Sequence, residues 1–138
     1  MKKIILSLSI LFLITGNVFS AGSSSSDDNA KTKSNYEKAV THIEAAKKHE
    51  KKGKLEKANK RYAKAQGLLI KSNNKKPNDA DTLNYLGFTT RKLGDFENGE
   101  KYYLQGLAID PNHKGINEYL GELYVVTKRH NLAIERLE

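Results

Sequence analysis

Four histidines are the side chains in this sequence best suited to bind a metal ion or move a proton: His42, His49, His113 and His130. His42 and His49 stand seven residues apart, whereas metal-binding pairs on a helix are usually about three or four residues apart. There is no cysteine, no glycine-rich phosphate loop and no Gly-x-Ser-x-Gly nucleophile motif. No two acidic residues stand out as a general acid and base. We therefore expect no catalytic residue, no metal, no cofactor and a non-enzymatic function.

Lysine and arginine carry the second chemical signal. Residues 31–76 hold 15 basic and 4 acidic side chains, a net charge of +11, whereas residues 77–138 hold 7 basic and 10 acidic ones, a net charge of −3. Five cations recur at helical spacing and are predicted to form a basic stripe along one helix: Lys57, Lys60, Arg61, Lys64 and Lys71. Such a stripe is either a solvated face or a surface that attracts an acidic protein, anionic lipid or acidic glycan. Because no aromatic residue interrupts it as a base-stacking platform, we expect no nucleic-acid partner.

The first twenty residues have the pattern of a secretory signal peptide. Two lysines precede an apolar stretch from Ile4 to Thr15, and cleavage is expected after Ser20 or Ala21. The alternative is an uncleaved anchor, but the stretch is shorter than the ~20 apolar residues that span a bilayer. We expect residues 1–20 to be removed and no transmembrane span to remain.

The serine-rich residues 21–33 are predicted to be a flexible linker. Export is thus the expected fate of the chain. The bacterial periplasm is the expected compartment, with the outside of the cell as the alternative.

From Asn35 onward the pattern is helical and repeats itself. Tyr85-Leu86-Gly87 recurs as Tyr119-Leu120-Gly121 after 34 residues, and Tyr103 recurs as Leu137 at the same shift. A more diverged unit lies upstream, where five residues match later ones at a shift of 41: Gly53, Leu55, Ala58, Tyr62 and Ala65. The extra seven residues predict a longer second helix in the first unit, running to about Ser72.

The same repeat pattern predicts where the helices begin and end and which of their faces are buried. The first helix is predicted from about Asn35 to Lys52, with Ser34 as its N-cap. The buried face of the long second helix is predicted to consist of Leu55, Ala58, Tyr62, Ala65 and Leu69. In the next unit, Leu86, Leu93, Phe96, Tyr103 and Leu107 need a further hairpin stacked against them. Gly87 and Gly121 are predicted to lie at the points where the axes of two helices come close together.

The repeat resembles the tetratricopeptide repeat (TPR) family in period and in residue type. The family pattern is filled by Leu83, Leu86, Gly87, Gly99, Tyr103 and Pro111. The resemblance implies an all-α fold of antiparallel helix-turn-helix repeats stacked as a short TPR solenoid over residues 34–138. The units are expected at about 36–77, 80–113 and 114–138. The last is incomplete, and we expect a fragment of a longer protein.

The resemblance also implies a binding groove lined by the first helix of each unit. Seven residues are candidates for partner binding: Asn84, Tyr85, Phe88, Arg91, Glu118, Tyr119 and Glu122. Phe88 is expected to serve binding rather than packing. A TPR subset grips C-terminal carboxylates with Lys, Asn and Arg, but Tyr85, Gly115 and Tyr119 stand at clamp positions, so no such clamp is predicted.

Three functions remain open from the sequence. The favoured one is a protein-interaction adaptor of the bacterial cell envelope that binds a peptide or protein in the groove. The second is an electrostatic tether, which would hold an anionic envelope lipid or glycan through residues 31–76. The third is a TPR front end of a longer exported enzyme.

Overall fold

A computed structural model describes residues 32–137. The predicted signal peptide and nearly all of the predicted linker lie outside the described residues. Residues 32–137 contain six helices: α1 (Asn35–Lys51), α2 (Leu55–Lys75), α3 (Ala80–Lys92), α4 (Phe96–Ile109), α5 (Lys114–Val126) and α6 (His130–Leu137). The expected all-α class is confirmed.

The helices pair in sequence as antiparallel hairpins, α1 with α2, α3 with α4, and α5 with α6. Further packing of α2 on α3 and of α4 on α5 stacks each hairpin on the next. This is the TPR-like solenoid that the repeat predicts. The long second helix is confirmed as well, since α2 runs to Lys75, slightly beyond the predicted end.

One backbone conformation recurs at the turn inside each hairpin. Gly53 and Gly94 have φ values of +68° and +95°, and Lys128 has a φ of +61°. The left-handed region suits glycine because it has no Cβ, and a lysine there is strained. The three residues follow one another at the shifts of 41 and 34 found in the sequence.

The first helix of each hairpin begins with a side-chain cap. Ser34 Oγ accepts a hydrogen bond from the Glu37 N–H while the Glu37 carboxylate accepts one from the Ser34 N–H, which completes a capping box. Asp79 caps α3 through the Thr82 N–H, and His113 Nδ1 caps α5 through the Ile116 N–H. The predicted cap at Ser34 is therefore confirmed, and the caps fix where each first helix begins.

Two apolar clusters form the core. The first joins α1, α2 and α3 and contains Tyr62, Leu69 and Leu86, while the second joins α4, α5 and α6 around Tyr103 and Leu120. Burying this apolar area is what holds the hairpins together.

Three residues that were expected to be buried are exposed instead. Leu55 is 61% exposed, because it is the first residue of α2 and precedes the part of the helix that packs on α1. Leu93 and Phe96 flank the α3–α4 turn, one just after α3 ends and the other at the start of α4, and are 36% and 37% exposed. The prediction that these three belong to the core was wrong.

Gly87 and Gly121 each lie where two helices approach closely. A Cβ on Gly87 would lie 2.5 Å from ring carbons of Tyr103, and a Cβ on Gly121 would lie 2.7 Å from Leu137. The predicted role of Gly87 and Gly121 is confirmed. No helix within residues 32–137 combines the length and the apolar character needed to cross a membrane.

Candidate functional site

The first helices α1, α3 and α5 lie side by side, and their shared surface is called the groove face here. Tyr36 of α1 contacts Tyr85 of α3, with ring centroids 5.9 Å apart. Phe88 of α3 contacts Tyr119 of α5 at 4.8 Å between centroids. This is the surface that the TPR resemblance assigns to ligand binding, and its aromatic residues form a row across three hairpins.

Phe88 lies beneath the surface of the groove face and is only 3% exposed. Phe88 and the side chains around its ring are called the floor of the groove face. Its ring packs edge-on against Tyr62 at 5.7 Å and is covered by Tyr119. The expectation that Phe88 serves binding rather than packing was wrong. Its cover comes from the next hairpin, which the pattern around Phe88 does not show.

Three cations surround the same ring. Lys47 Nζ lies 5.1 Å from the Phe88 centroid, and Arg91 Cζ and Lys92 Nζ each lie 5.8 Å from it. The negative face of an aromatic ring attracts cations at such distances. Together with Tyr119, these side chains close the floor of the groove face.

Each of these cations has a carboxylate partner of its own. Lys92 Nζ donates to Glu50 at 2.6 Å and thereby joins α3 to α1. Arg91 donates to Glu122 at 2.6 Å and thereby joins α3 to α5. Lys47 pairs with Glu44 at 3.5 Å. The charges on the floor therefore balance, and these three cations are not left unpaired as a clamp for a ligand carboxylate would require.

The electrostatics of Glu50 follow from this arrangement. Burial acts to raise the pKa of Glu50, but hydrogen bonds from Lys92 and Tyr62 outweigh burial and lower it. Tyr62 donates to Glu50 at 2.9 Å. For Lys47, burial acts to lower the pKa, yet the adjacent Tyr119 and Glu44 raise it. Both groups therefore stay charged.

Half-buried tyrosines form the accessible part of the groove face. Tyr36, Tyr85 and Tyr119 are each partly exposed. Burial is the main cause that raises the pKa of Tyr36 to about 12 and also raises that of Tyr85, so both hydroxyls stay protonated at neutral pH. A protonated tyrosine offers an apolar ring together with one donor and one acceptor.

The other predicted partner-binding residues differ in accessibility. Asn84 and Arg91 are 7% and 8% exposed, whereas Glu118 and Glu122 are exposed. Asn84 Oδ1 is buried without a hydrogen-bond partner. All seven candidates lie on the first helices α3 and α5. Glu118 shares α5 with Tyr119, and only four of the seven keep accessible surface: Tyr85, Glu118, Tyr119 and Glu122.

The basic stripe lies on a different surface. Lys57, Lys60, Lys64 and Lys71 are exposed, and Arg61 is partly buried. Two residues that sequence reasoning assigned to ordinary surface or packing join it. Arg61 Nη1 lies 3.1 Å from His42 Nδ1, and His49 lies beside the stripe.

No group of three or more His, Asp and Glu side chains within residues 32–137 is arranged to hold a metal ion. His113 caps a helix, His42 and His49 are partly buried beside the basic stripe, and His130 is exposed. On the groove face, Lys47, Arg91 and Lys92 are each paired with a carboxylate.

No family model and no curated protein matches the sequence. Among solved structures, the chain is similar to the MamA RS-1 ArsTM double mutant, with 22% identity and a TM-score of 0.49 over 72% of this chain. The chain covers 52% of that structure, about half of its length. It is also similar to the second TPR of Spaghetti (RPAP3) bound to the HSP90 peptide SRMEEVD, with 18% identity and a TM-score of 0.45, over 74% of this chain and 88% of that one. At such low identity and TM-score, these likenesses say nothing about which ligand this chain binds.

Proposed function

We propose that the protein is a non-enzymatic interaction scaffold that binds a peptide or protein segment on the groove face. The observation that carries the proposal is the row of half-buried tyrosines that crosses all three first helices, Tyr36, Tyr85 and Tyr119. Tyrosine is enriched at the energetic centres of protein interfaces because it combines a large apolar ring with a polar end.

The floor of the groove face holds Tyr119 in place before a ligand arrives. Tyr119 packs at a tilt against Phe88, whose ring is surrounded by paired cations. Lys92 and Arg91 tie α3 to both neighbouring first helices through Glu50 and Glu122. A surface with fixed side chains loses less conformational entropy on binding, which raises affinity without new contacts.

The charge balance also supports one class of ligand over another. Since Lys47, Arg91 and Lys92 each have a carboxylate partner, the floor has no surplus cation to hold a terminal carboxylate. The accessible surface combines tyrosine rings with the exposed carboxylate of Glu118, whereas the carboxylate of Glu122 is paired with Arg91. We therefore propose an extended segment with apolar side chains and flanking basic residues.

The site of action remains the one expected from the sequence. We propose the bacterial cell envelope, with the periplasm favoured, because the pattern of residues 1–20 is that of an export signal.

The experiment is a selection of peptides from a random display library on the chain, followed by measurement of their dissociation constants. Tyr85→Ala and Tyr119→Ala should each weaken a selected peptide about tenfold, in line with ~1.4 kcal/mol for an interface aromatic. Circular dichroism checks that both variants remain helical.

Tyr102→Ala is the matched control, because Tyr102 is a partly buried tyrosine on the second helix α4. It should leave the dissociation constant within about twofold. Equal losses in all three variants would show that stability rather than the groove face determines binding. Failure to select any peptide would count against the proposal.

A further inference from the structure

The outer side of the first hairpin differs from the same side of the second. At the shift of 41, His42 and His49 of α1 correspond to Leu83 and Thr90 of α3. Leu83 and Thr90 are buried, and Thr90 accepts a hydrogen bond from Gln66 of α2 at 2.8 Å. On the second hairpin, this side thus packs against the hairpin before it. On the first hairpin, the same side carries histidines instead of core residues.

The histidines share that side with the basic stripe. His49, Lys57, Lys60, Arg61 and Lys64 line one shallow depression, and all five are basic residue types. The outer hairpin of a repeat array needs a polar outer face to remain soluble. Solubility alone does not require one sign of charge, so the absence of acidic residues from the lining of this depression calls for a second explanation.

The structure concentrates this charge rather than dispersing it. The pKa of His42 is lowered first by burial and then by Arg61 and Lys64. A neutral His42 can accept a hydrogen bond from the Arg61 guanidinium, because a guanidinium has only N–H donors. The nearby carboxylate of Glu56 pairs with Lys60 at 2.7 Å, but both side chains are largely exposed, so this ion pair is weak.

The shape of the surface distinguishes among anionic partners. The buried apolar side of α2, with Tyr62 and Leu69, is turned into the core. The exposed large apolar residues of α2, Leu55 and Ile70, lie fifteen residues apart and do not form the continuous apolar face that inserts into a bilayer. The depression is concave, which a flat membrane surface cannot follow but a single chain can. From Lys57 to Lys71 the stripe extends for about 21 Å along the helix.

Gly67 adds an observation at the middle of the stripe. It is exposed, and a Cβ built on it would meet nothing within 4 Å, so packing does not require a glycine there. A glycine inside a helix costs about 1 kcal/mol relative to alanine. Its position between Lys64 and Lys71 leaves room for a ligand chain to approach the backbone.

We propose that the outer face of the first hairpin binds an extended polyanion with closely spaced phosphate groups, through His49, Lys57, Lys60, Arg61, Lys64 and Lys71. The phosphates would replace the counterions that otherwise neutralise these side chains, and lysine is a common phosphate ligand in proteins. This site is on α2 and the outer side of α1, so it is independent of the groove face.

Inorganic polyphosphate is the probe, with binding measured by titration calorimetry at low and at physiological salt. The triple variant Lys57→Gln, Arg61→Gln, Lys64→Gln should bind at least about tenfold more weakly. Its slope of log affinity against log salt should fall by about 2, close to 0.7 per lost phosphate contact.

The matched control removes three exposed lysines elsewhere, Lys101→Gln, Lys114→Gln and Lys128→Gln, and has the same net charge. It should bind within about twofold of the unaltered chain, with little change in the number of phosphate contacts that the salt slope reports. Equal weakening of both triple variants would overturn the proposal, because net charge alone would then explain the binding. No binding of polyphosphate at low salt would also overturn it.

Two further probes separate the sources of negative charge. Vesicles with anionic phospholipid should bind more weakly than polyphosphate at equal phosphate concentration, and so should a single-stranded oligothymidylate. Tighter binding to the vesicles would replace the proposed partner with a membrane surface. Tighter binding to the oligonucleotide would replace it with a nucleic acid.

Discussion

The ring of Tyr103 on α4 occupies the space that a side chain on Gly87 of α3 would need. A Cβ at Gly87 would lie 2.5 Å from two carbons of the ring, closer than real contacts allow. Tyr103 itself is fully buried. A side chain at position 87 would therefore force the ring or α3 to move, and the same holds for Gly121 beside Leu137 in the third hairpin.

Gly87→Ala should destabilise the fold, because either the Tyr103 ring or the whole of α3 must move. Overpacking of this kind costs about 1–3 kcal/mol. Gly67→Ala is the control, since nothing lies within 4 Å of its added Cβ, and it should stabilise the chain by up to about 1 kcal/mol. Urea denaturation measures both, and equal stability of the two variants would refute the role assigned to Tyr103.

Lys128→Gly should stabilise the chain. Lys128 has a φ of +61°, at the turn position that Gly53 and Gly94 occupy in the other hairpins. Relief of the left-handed strain, offset by the greater freedom of glycine when unfolded, should leave a gain of about 0.5–1 kcal/mol.

The opposite change, Gly94→Ala, should destabilise the chain, because alanine would then adopt a φ of +95°. Both variants are compared with the unaltered chain by their urea midpoints. A destabilising Lys128→Gly would mean that the lysine side chain makes a stabilising contact that outweighs its backbone strain.

Phe88→Ala should cost about 3–5 kcal/mol, the usual loss for a buried phenylalanine. The ring is 3% exposed and lies between Tyr62 and Tyr119, so its removal opens a cavity between the first two hairpins and α5. Leu104→Ala, at a side chain that is 44% exposed, should cost far less. Thermal denaturation followed by circular dichroism distinguishes them, and a stable Phe88→Ala variant would restore Phe88 to the accessible surface.

Stability should fall at acidic pH, in part because of Glu50. Its pKa in the fold is lowered from the ordinary glutamate value of about 4.5, so the folded state binds this proton less readily than the unfolded state does. The stabilisation is therefore present above about pH 4.5 and is lost as the pH falls through the folded value.

Glu50→Gln should flatten this pH dependence, and Lys92→Met should flatten it partly, because Tyr62 still donates to Glu50. Free energies of unfolding between about pH 3 and 6 would show the difference. An unchanged slope in Glu50→Gln would show that other carboxylates account for the acid sensitivity.

The sequence predicts the fold well because the fold depends on local and periodic features. The cap at Ser34, the close-approach position of Gly87 and the register between Gly53 and Gly94 follow from residue type and spacing. Burial at the groove face depends instead on neighbouring hairpins. Phe88 is covered by Tyr119, which is 31 residues later, and periodicity within one helix cannot show that.

The histidines illustrate the same limit. His42 and His49 share a helix face in the sequence, but their closeness to Arg61 and Lys57 depends on how α1 packs on α2. One sequence signal did exist, since His42 and His49 replace Leu83 and Thr90 at the shift of 41. Comparison of the repeats position by position would therefore have identified the outer basic face.

The central claim is that the groove face binds an extended peptide, and amide chemical-shift mapping tests it most directly. A selected peptide is titrated into the isotope-labelled chain, and shifts are followed residue by residue. We predict that the largest changes fall on α1, α3 and α5 around Tyr36, Tyr85 and Tyr119, with α2 and α4 little affected. Largest changes on the basic stripe of α2, or on the outer surface of α4, would contradict the account.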